Sequence, residues 1–342
     1  MVTLLFPGQG SQAPGMGKDL AETSAAARDV FAEADDALEM PISRICFEGE
    51  EAELKRTEIT QPAILTVSIA AFRAFREMAP DAEIRFAAGH SLGEWSALVA
   101  VGALSFADAV RAVRARGQLM QAAVPEGEGL MAAVLGLAPD VVRKVCKEVQ
   151  RSMGSTHVVG PANFNSPEQT VISGTADAVR TACEALQGAG AQKTVLLPVS
   201  APFHSPLMIP AAQGLRDVLA SISVSSMSAP VVTNVDAAPN QDHTRVKDLL
   251  VEQVTAPVRW TESVEAIAAA GEDTALELGP GKVLMGLARR IDRRLKVTPV
   301  GDGAALEKAV AQLLSVSPSD VAAHEVTPRS ARHANTASNA GS

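Results

Sequence analysis

Apolar residues recur along this chain in two rhythms. Residues 2–6, VTLLF, form a nearly unbroken apolar run that stops at Pro7-Gly8, the pattern of a short buried strand. Residues 18–39 are alanine-rich, with apolar side chains at helical spacing. A second helical pattern covers 60–78, with Thr60 as its N-cap and Pro62 in its first turn. IRFAAG, 84–89, predicts a strand, and helices follow over 91–101 and 106–123. Strands alternating with helices predict a parallel sheet with helices on both faces.

The middle of the chain changes rhythm. GLMAAVLG (129–136) predicts a strand, 139–151 a helix, HVVGPANFN and QTVISG two strands joined around Ser166-Pro167, 176–187 a helix, and QKTVLLPV a strand. That order, β-α-β-β-α-β, is ferredoxin-like and marks an inserted small subdomain at 127–198. The α/β rhythm then resumes, with helices expected at 206–221, 243–254, 260–270, 282–292 and 303–314. Strands are expected at 230–234, 274–278 and 296–300. The larger subdomain is therefore discontinuous, 1–126 and 199–315. Residues 316–342 are small, polar and aperiodic, so they read as a disordered tail.

Composition narrows the function. Over 342 residues, 47% hydrophobic and 20% charged, a sizeable core is available. The net charge of −9 argues against a nucleic-acid binder, which needs a basic face. Cys46, Cys146 and Cys183 lie far apart without metal-binding spacing, as expected of free thiols in a reducing compartment. The start, MVTLLFPGQG, lacks the basic and long apolar regions of a signal peptide, and no apolar run reaches a membrane span. The expectation is a soluble, cytoplasmic, monomeric protein with no metal.

The candidate chemistry centres on Gly89-His90-Ser91-Leu92-Gly93, a GxSxG turn between a predicted strand and a predicted helix. That context exposes the serine hydroxyl on a sharp elbow and points helix N–H groups at it. A serine nucleophile needs a base. Of six histidines, His324 and His333 lie in the tail, His243 reads as a solvated cap and His157 begins a strand. His90 is next to Ser91 and should point away from it. His204, in SAPFHSPLM, follows a strand end, where α/β folds place ligands, and is the expected base. A second turn, Gly8-Gln9-Gly10, follows the first strand. A Gln9 N–H facing the Leu92 N–H across neighbouring strand ends would serve as an oxyanion hole. Arg116 lies on an apolar helix one turn before Met120, a candidate pocket residue. Helix arginines are usually solvated. If Arg116 instead faces the pocket, its guanidinium suits a substrate bearing a free carboxylate.

Seven collinear segments together resemble the malonyl-CoA:acyl carrier protein transacylase family: FPGQGSQ (6–12), TQPA (60–63), GHSLGE (89–94), RGQLMQ (116–121), NFNSPEQTVISG (163–174), PVSAPFH (198–204) and ELGPGKVL (277–284). They span about residues 1 to 300. The resemblance implies a hydrolase-like α/β core with an inserted ferredoxin-like α+β subdomain. It implies that Ser91 is acylated, that His204 is its base, that Arg116 pairs with the malonyl carboxylate, and that the Gln9 and Leu92 amides hold the oxyanion. It further implies that no acid completes a triad: the backbone carbonyl of Gln253 orients the histidine instead. The substrate would be malonyl-CoA, with no bound cofactor, and the acceptor the phosphopantetheine thiol of acyl carrier protein, by a ping-pong route. Trp95 stands where the family often has tyrosine, and Phe203 where many stand-alone members have serine. A phenylalanine there accompanies malonyl over methylmalonyl choice in related polyketide domains.

Acyl carrier protein is acidic, so docking needs a positive spot. Arg289 and Arg290 belong to the densest basic cluster, ARRIDRRLK, which also reads as a solvated helix end. The rival functions are a serine esterase or thioesterase of α/β-hydrolase type, a malonyltransferase serving malonate decarboxylase or a polyketide synthase, and an inactive scaffold.

Overall fold

The computed structural model describes residues 1–199 and 201–315. The tail expected at 316–342 lies outside the described residues. The strands, in chain order, are β1 (Val2–Phe6), β2 (Ile84–Gly89), β3 (Gly129–Leu135), β4 (Val159–Ser166), β5 (Gln169–Thr175), β6 (Lys193–Leu196), β7 (Val231–Val232), β8 (Pro239–Asn240), β9 (Thr274–Leu278) and β10 (Lys296–Val300). The helices are α1 (Lys18–Thr23), α2 (Ala25–Leu38), α3 (Ile42–Glu48), α4 (Glu51–Leu54), α5 (Thr57–Met78), α6 (Leu92–Ala100) and α7 (Phe106–Ala122). They continue with α8 (Pro139–Met153), α9 (Ala176–Gly188), α10 (Ile209–Ala220), α11 (Val246–Gln253), α12 (Trp260–Ala269), α13 (Val283–Ile291) and α14 (Gly303–Ser315).

Six strands make one sheet in the order β10-β9-β1-β2-β7-β8. β1 is buried along its length between β2 and β9, as its apolar run requires. Leu4 and Phe6 enter one apolar cluster and Leu5 the other, so the two-residue period of the strand places helices on both faces. The first cluster gathers α2, α5 and α7; the second gathers Trp260 and Val264 of α12 with Leu284 and Leu287 of α13. The sequence predicts a parallel sheet, and the observed one departs from that at one edge. The two-residue β8 runs antiparallel to β7 and closes that edge.

Three other expectations need correction. The helix read over 18–39 breaks at Ser24, which is extended and accepts the Ala27 N–H at 3.1 Å; a serine that caps α2 ends α1 in the same residue. Thr60 is not an N-cap. α5 starts at Thr57, and the Thr60 hydroxyl donates back to Leu54 O and Arg56 O. Pro62 is the sixth residue of the helix, not in its first turn, and so leaves Glu58 O without the i→i−4 N–H. The chain also forms two short helices, α3 and α4, that its apolar pattern does not predict.

The middle segment follows the expected β-α-β-β-α-β order. Its four strands form a second sheet, β4-β5-β3-β6, whose paired neighbours are all antiparallel. α8 and α9 cover one face through Val142, Cys146, Val179 and Leu186. The other face, with Met131, Ala133 and Val171, joins the main apolar cluster. No helix among the described residues is long and apolar enough to cross a membrane.

Candidate active site

The C-terminal ends of β1, β2, β7 and β9 lie along one edge of the larger sheet, where open α/β sheets bind ligands. At the end of β2 the chain turns sharply into α6. Ser91 sits in that turn at φ 49° and ψ −104°, a conformation few non-glycine residues adopt. The flanking glycines are needed for close approach. A Cβ on Gly89 would stand 1.9 Å from Gly93 C, and one on Gly93 would stand 2.0 Å from Phe6 O. The elbow thus folds onto itself and onto the end of β1.

Asn234, just beyond β7, clamps this turn. Its Oδ1 accepts the Ser91 N–H at 2.7 Å, and its Nδ2 donates to Gly89 O at 2.7 Å. Two groups then converge on the serine hydroxyl. His204 Nε2 lies 2.8 Å from Ser91 Oγ, and Arg116 Nη2 donates to the same oxygen at 3.2 Å. The opposite ring nitrogen of His204, Nδ1, faces the main-chain carbonyls of Gln253 at 2.8 Å and Ala256 at 3.2 Å. Acceptors on that side place the proton on Nδ1 and leave Nε2 free to accept from the serine. Among the described residues, no carboxylate hydrogen-bonds the imidazole. Burial, reinforced by the Arg116 charge, pushes the His204 pKa down to about 3, so the ring is neutral at ordinary pH.

Arg116 is not a solvated helix arginine. It is 2% exposed. Nη1 donates to Gln61 Oε1 at 2.8 Å and Nη2 to Gln253 Oε1 at 3.1 Å, while Nε has no partner among the described residues. Burial lowers its pKa to about 10, still well above neutral, so a charged fork lies beside the serine. Met120 is buried one turn along, with Sδ 3.8 Å from Gln61 Nε2. Phe203 is buried in the main apolar cluster, immediately before the positive-φ His204.

Gln9 lies on the loop after β1, which is pressed against the elbow: a Cβ on Gly8 would meet His90 O at 2.3 Å. Phe6 pairs with Gly89, so the Gln9 and Leu92 segments leave adjacent parallel strands side by side. His90 points away from the serine, as expected, and bonds Asn165 Oδ1 through Nε2 at 2.8 Å. Arg289 and Arg290 are exposed in the last turn of α13. They sit about 9 to 11 Å along that helix from its start at Val283. Arg294 of the same basic cluster pairs with Asp292 at 2.5 Å.

Ser91, His204, Arg116, Met120 and Gln253 thus converge, whereas Arg289 and Arg290 lie exposed in the last turn of α13. Sequence reading missed Asn234, Gln61, Glu94 and the Ala256 carbonyl. Glu94 left one local signal, an acid in the otherwise apolar LGEWSALVA helix. It is buried and accepts from Asn234 N at 3.0 Å and Gln253 Nε2 at 2.8 Å. Among the described residues, no three His, Cys, Asp or Glu side chains group as a metal site. A cavity of about 480 Å³ is lined by Arg143, Pro161, Phe164, Pro257, Arg259 and Glu262, and Ser91 is not part of its lining.

Comparison with known proteins shows the family. The acyl transferase domain family matches residues 3–328. A malonyl CoA-acyl carrier protein transacylase of Bacillus subtilis is 47% identical over 91% of this chain and 97% of that protein. A crystal structure of an acyl-carrier-protein S-malonyltransferase from Bartonella henselae superposes with a TM-score of 0.88 at 46% identity, covering 92% of this chain and all of that one. A malonyl transacylase solved in complex with its type II polyketide acyl carrier protein gives a TM-score of 0.87 at 43% identity, covering 91% and 99%.

Proposed function

The chain belongs to the acyl transferase domain family, and we propose that it moves a malonyl group from malonyl-CoA to the phosphopantetheine thiol of acyl carrier protein, through a malonyl ester on Ser91. The observation that carries the reading is the meeting of an imidazole and a buried guanidinium on one serine oxygen. The imidazole supplies the base, and the guanidinium suits a diacid rather than a plain acyl group.

In the first half-reaction, His204 Nε2 takes the Ser91 proton as Oγ bonds to the thioester carbonyl carbon. The Gln9 and Leu92 N–H groups hold the oxyanion. The C–S bond breaks, and His204 returns the proton to the departing thiolate of coenzyme A. In the second, the carrier thiol gives its proton to His204 and attacks the ester. Collapse transfers malonyl to sulfur and the proton back to Ser91. Gln253 O keeps the imidazole in the required tautomer, and Arg116 holds the far carboxylate. No bound cofactor enters this scheme.

The same reading treats 1–126 with 199–315 as a hydrolase-like unit and 127–198 as a ferredoxin-like insertion, supported by the strand orders of the two sheets. It assigns carrier docking to exposed Arg289 and Arg290, and expects a monomer in the cytoplasm, where the free Cys46, Cys146 and Cys183 suit a reducing medium. A second acceptor, a polyketide carrier protein, is favoured by the likeness to the transacylase solved with such a partner.

The test is intact-mass measurement after mixing with malonyl-CoA, then again after adding holo carrier protein. The expected result is a malonyl adduct absent from Ser91→Ala and discharged by the carrier. Discharge to water at the same rate without carrier would point to a thioesterase instead.

A further inference from the structure

One carboxylate beside the nucleophile has no part in the scheme above. Glu94 is 1% exposed on the first turn of α6, three residues after Ser91. Its Oε2 takes the Asn234 N–H and the Gln253 side-chain N–H. The Gln253 amide is a two-ended group, and its two ends face opposite demands. Nε2 looks at three oxygens: Glu94 Oε2 at 2.8 Å, Ser91 O at 3.0 Å and Asn234 Oδ1 at 3.4 Å. Oε1 looks at the Arg116 guanidinium. Turning the amide over would set an oxygen against those acceptors and an NH2 against a cation. Of the three acceptors, Glu94 is the nearest and the only carboxylate, so it contributes most to the choice of orientation.

We propose that Glu94 is a positioning residue: by fixing the Gln253 amide it presents Oε1 to Arg116, and so aims the guanidinium at the acyl group carried by Ser91. The inference rests on the malonyl-transfer reading of Ser91 and Arg116. Gln253 is the coupling piece, since its main chain steadies His204 and its side chain steadies Arg116. Burial raises the Glu94 pKa to about 7, yet Oε2 keeps lone pairs with or without a proton on the group, so the acceptor role survives either state.

The test compares rates of Ser91 acylation by malonyl-CoA and acetyl-CoA, read by intact mass, in wild type, Glu94→Leu and Glu94→Gln. A defect in His204 lowers both substrates alike; a misdirected Arg116 lowers malonyl alone. Glu94→Leu should cut the malonyl-to-acetyl ratio tenfold or more. Glu94→Gln keeps an acceptor at that place and should hold the ratio within about threefold of wild type, well inside the tenfold that corresponds to about 1.4 kcal/mol. An unchanged ratio in Glu94→Leu, or an equal fall in Glu94→Gln, overturns the proposal. Because Glu94→Leu risks misfolding, Gln253→Met, which removes the amide and keeps the carbonyl, carries the test separately. It should lose the ratio to the same extent, and Glu94→Leu added to it should lower the ratio no further. A retained ratio in Gln253→Met also overturns the proposal. Failure of the underlying reading looks different: wild type itself would form no malonyl adduct.

Discussion

Asn234 reaches across from β7 to hold Ser91 in its turn, taking the Ser91 N–H at 2.7 Å while giving its own amide proton to Gly89 O. The serine lies at positive φ, a conformation that costs about 1–3 kcal/mol and persists only where neighbours impose it. Asn234→Ala leaves the Ser91 N–H without that acceptor. It should destabilise the protein by about 1–3 kcal/mol in denaturant unfolding and slow Ser91 acylation at least tenfold. Unchanged stability and rate would remove the clamp from the account.

The glycine bracket permits no side chain. Gly93→Ala sets a methyl 2.0 Å from Phe6 O, a backbone atom in the central strand that cannot swing aside. We expect a loss of more than about 4 kcal/mol, the exceptional range for one substitution, read as failure to accumulate folded protein or a collapsed unfolding midpoint.

The acid limb of the pH–rate profile should lie unusually low. Burial, then the facing charges of Arg116 and His90, depress the His204 pKa to about 3. The base is therefore neutral well below the ordinary imidazole value of about 6.5. Single-turnover acylation should stay flat from pH 7 down to about 5 and fall only as pH approaches the folded-state value. Stability follows the same sign. The unfolded chain binds the histidine proton more readily between about 6.5 and 3, so this group's contribution to stability shrinks as pH drops through that window. A rate that halves near pH 6.5 would mean a solvated imidazole.

Arg116→Ala should reduce acylation by malonyl-CoA by about two orders of magnitude, the worth of a charge-assisted pair, and leave acetyl-CoA much less affected. Equal losses on both substrates would assign Arg116 to holding Gln61 and Gln253 alone.

Reversing the charges of Arg289 and Arg290 to glutamate should raise the carrier-protein KM severalfold, more at low salt, and leave acylation by malonyl-CoA unchanged. Both side chains are exposed in the last turn of α13. Steady-state kinetics on each half-reaction separates the two effects.

Much of this was legible in the sequence because the constraint was local. Gly89 and Gly93 bracket Ser91 within five residues, and an apolar strand before a helical run announces the elbow. Residue type alone marked Arg116, but not its direction. That depended on Gln61 and Gln253, 55 and 137 residues away. Asn234 gave no signal, being one polar residue in a loop whose partner lies 143 positions back. Thr60 misled for the opposite reason. A threonine two residues before a proline looks like a helix start, yet the chain had already begun its turn at Thr57. The short helices α3 and α4, seven and four residues, are too brief for a periodic pattern to show.

The third partner of the imidazole is a peptide carbonyl, and that has a practical consequence for laboratory evolution. A triad aspartate is erased by one codon change, whereas every amino acid placed at position 253 brings the same C=O to His204. The side chain at that position, by contrast, touches the guanidinium. A saturation library at Gln253 therefore searches for altered cargo while the proton relay is carried unchanged through every clone that folds.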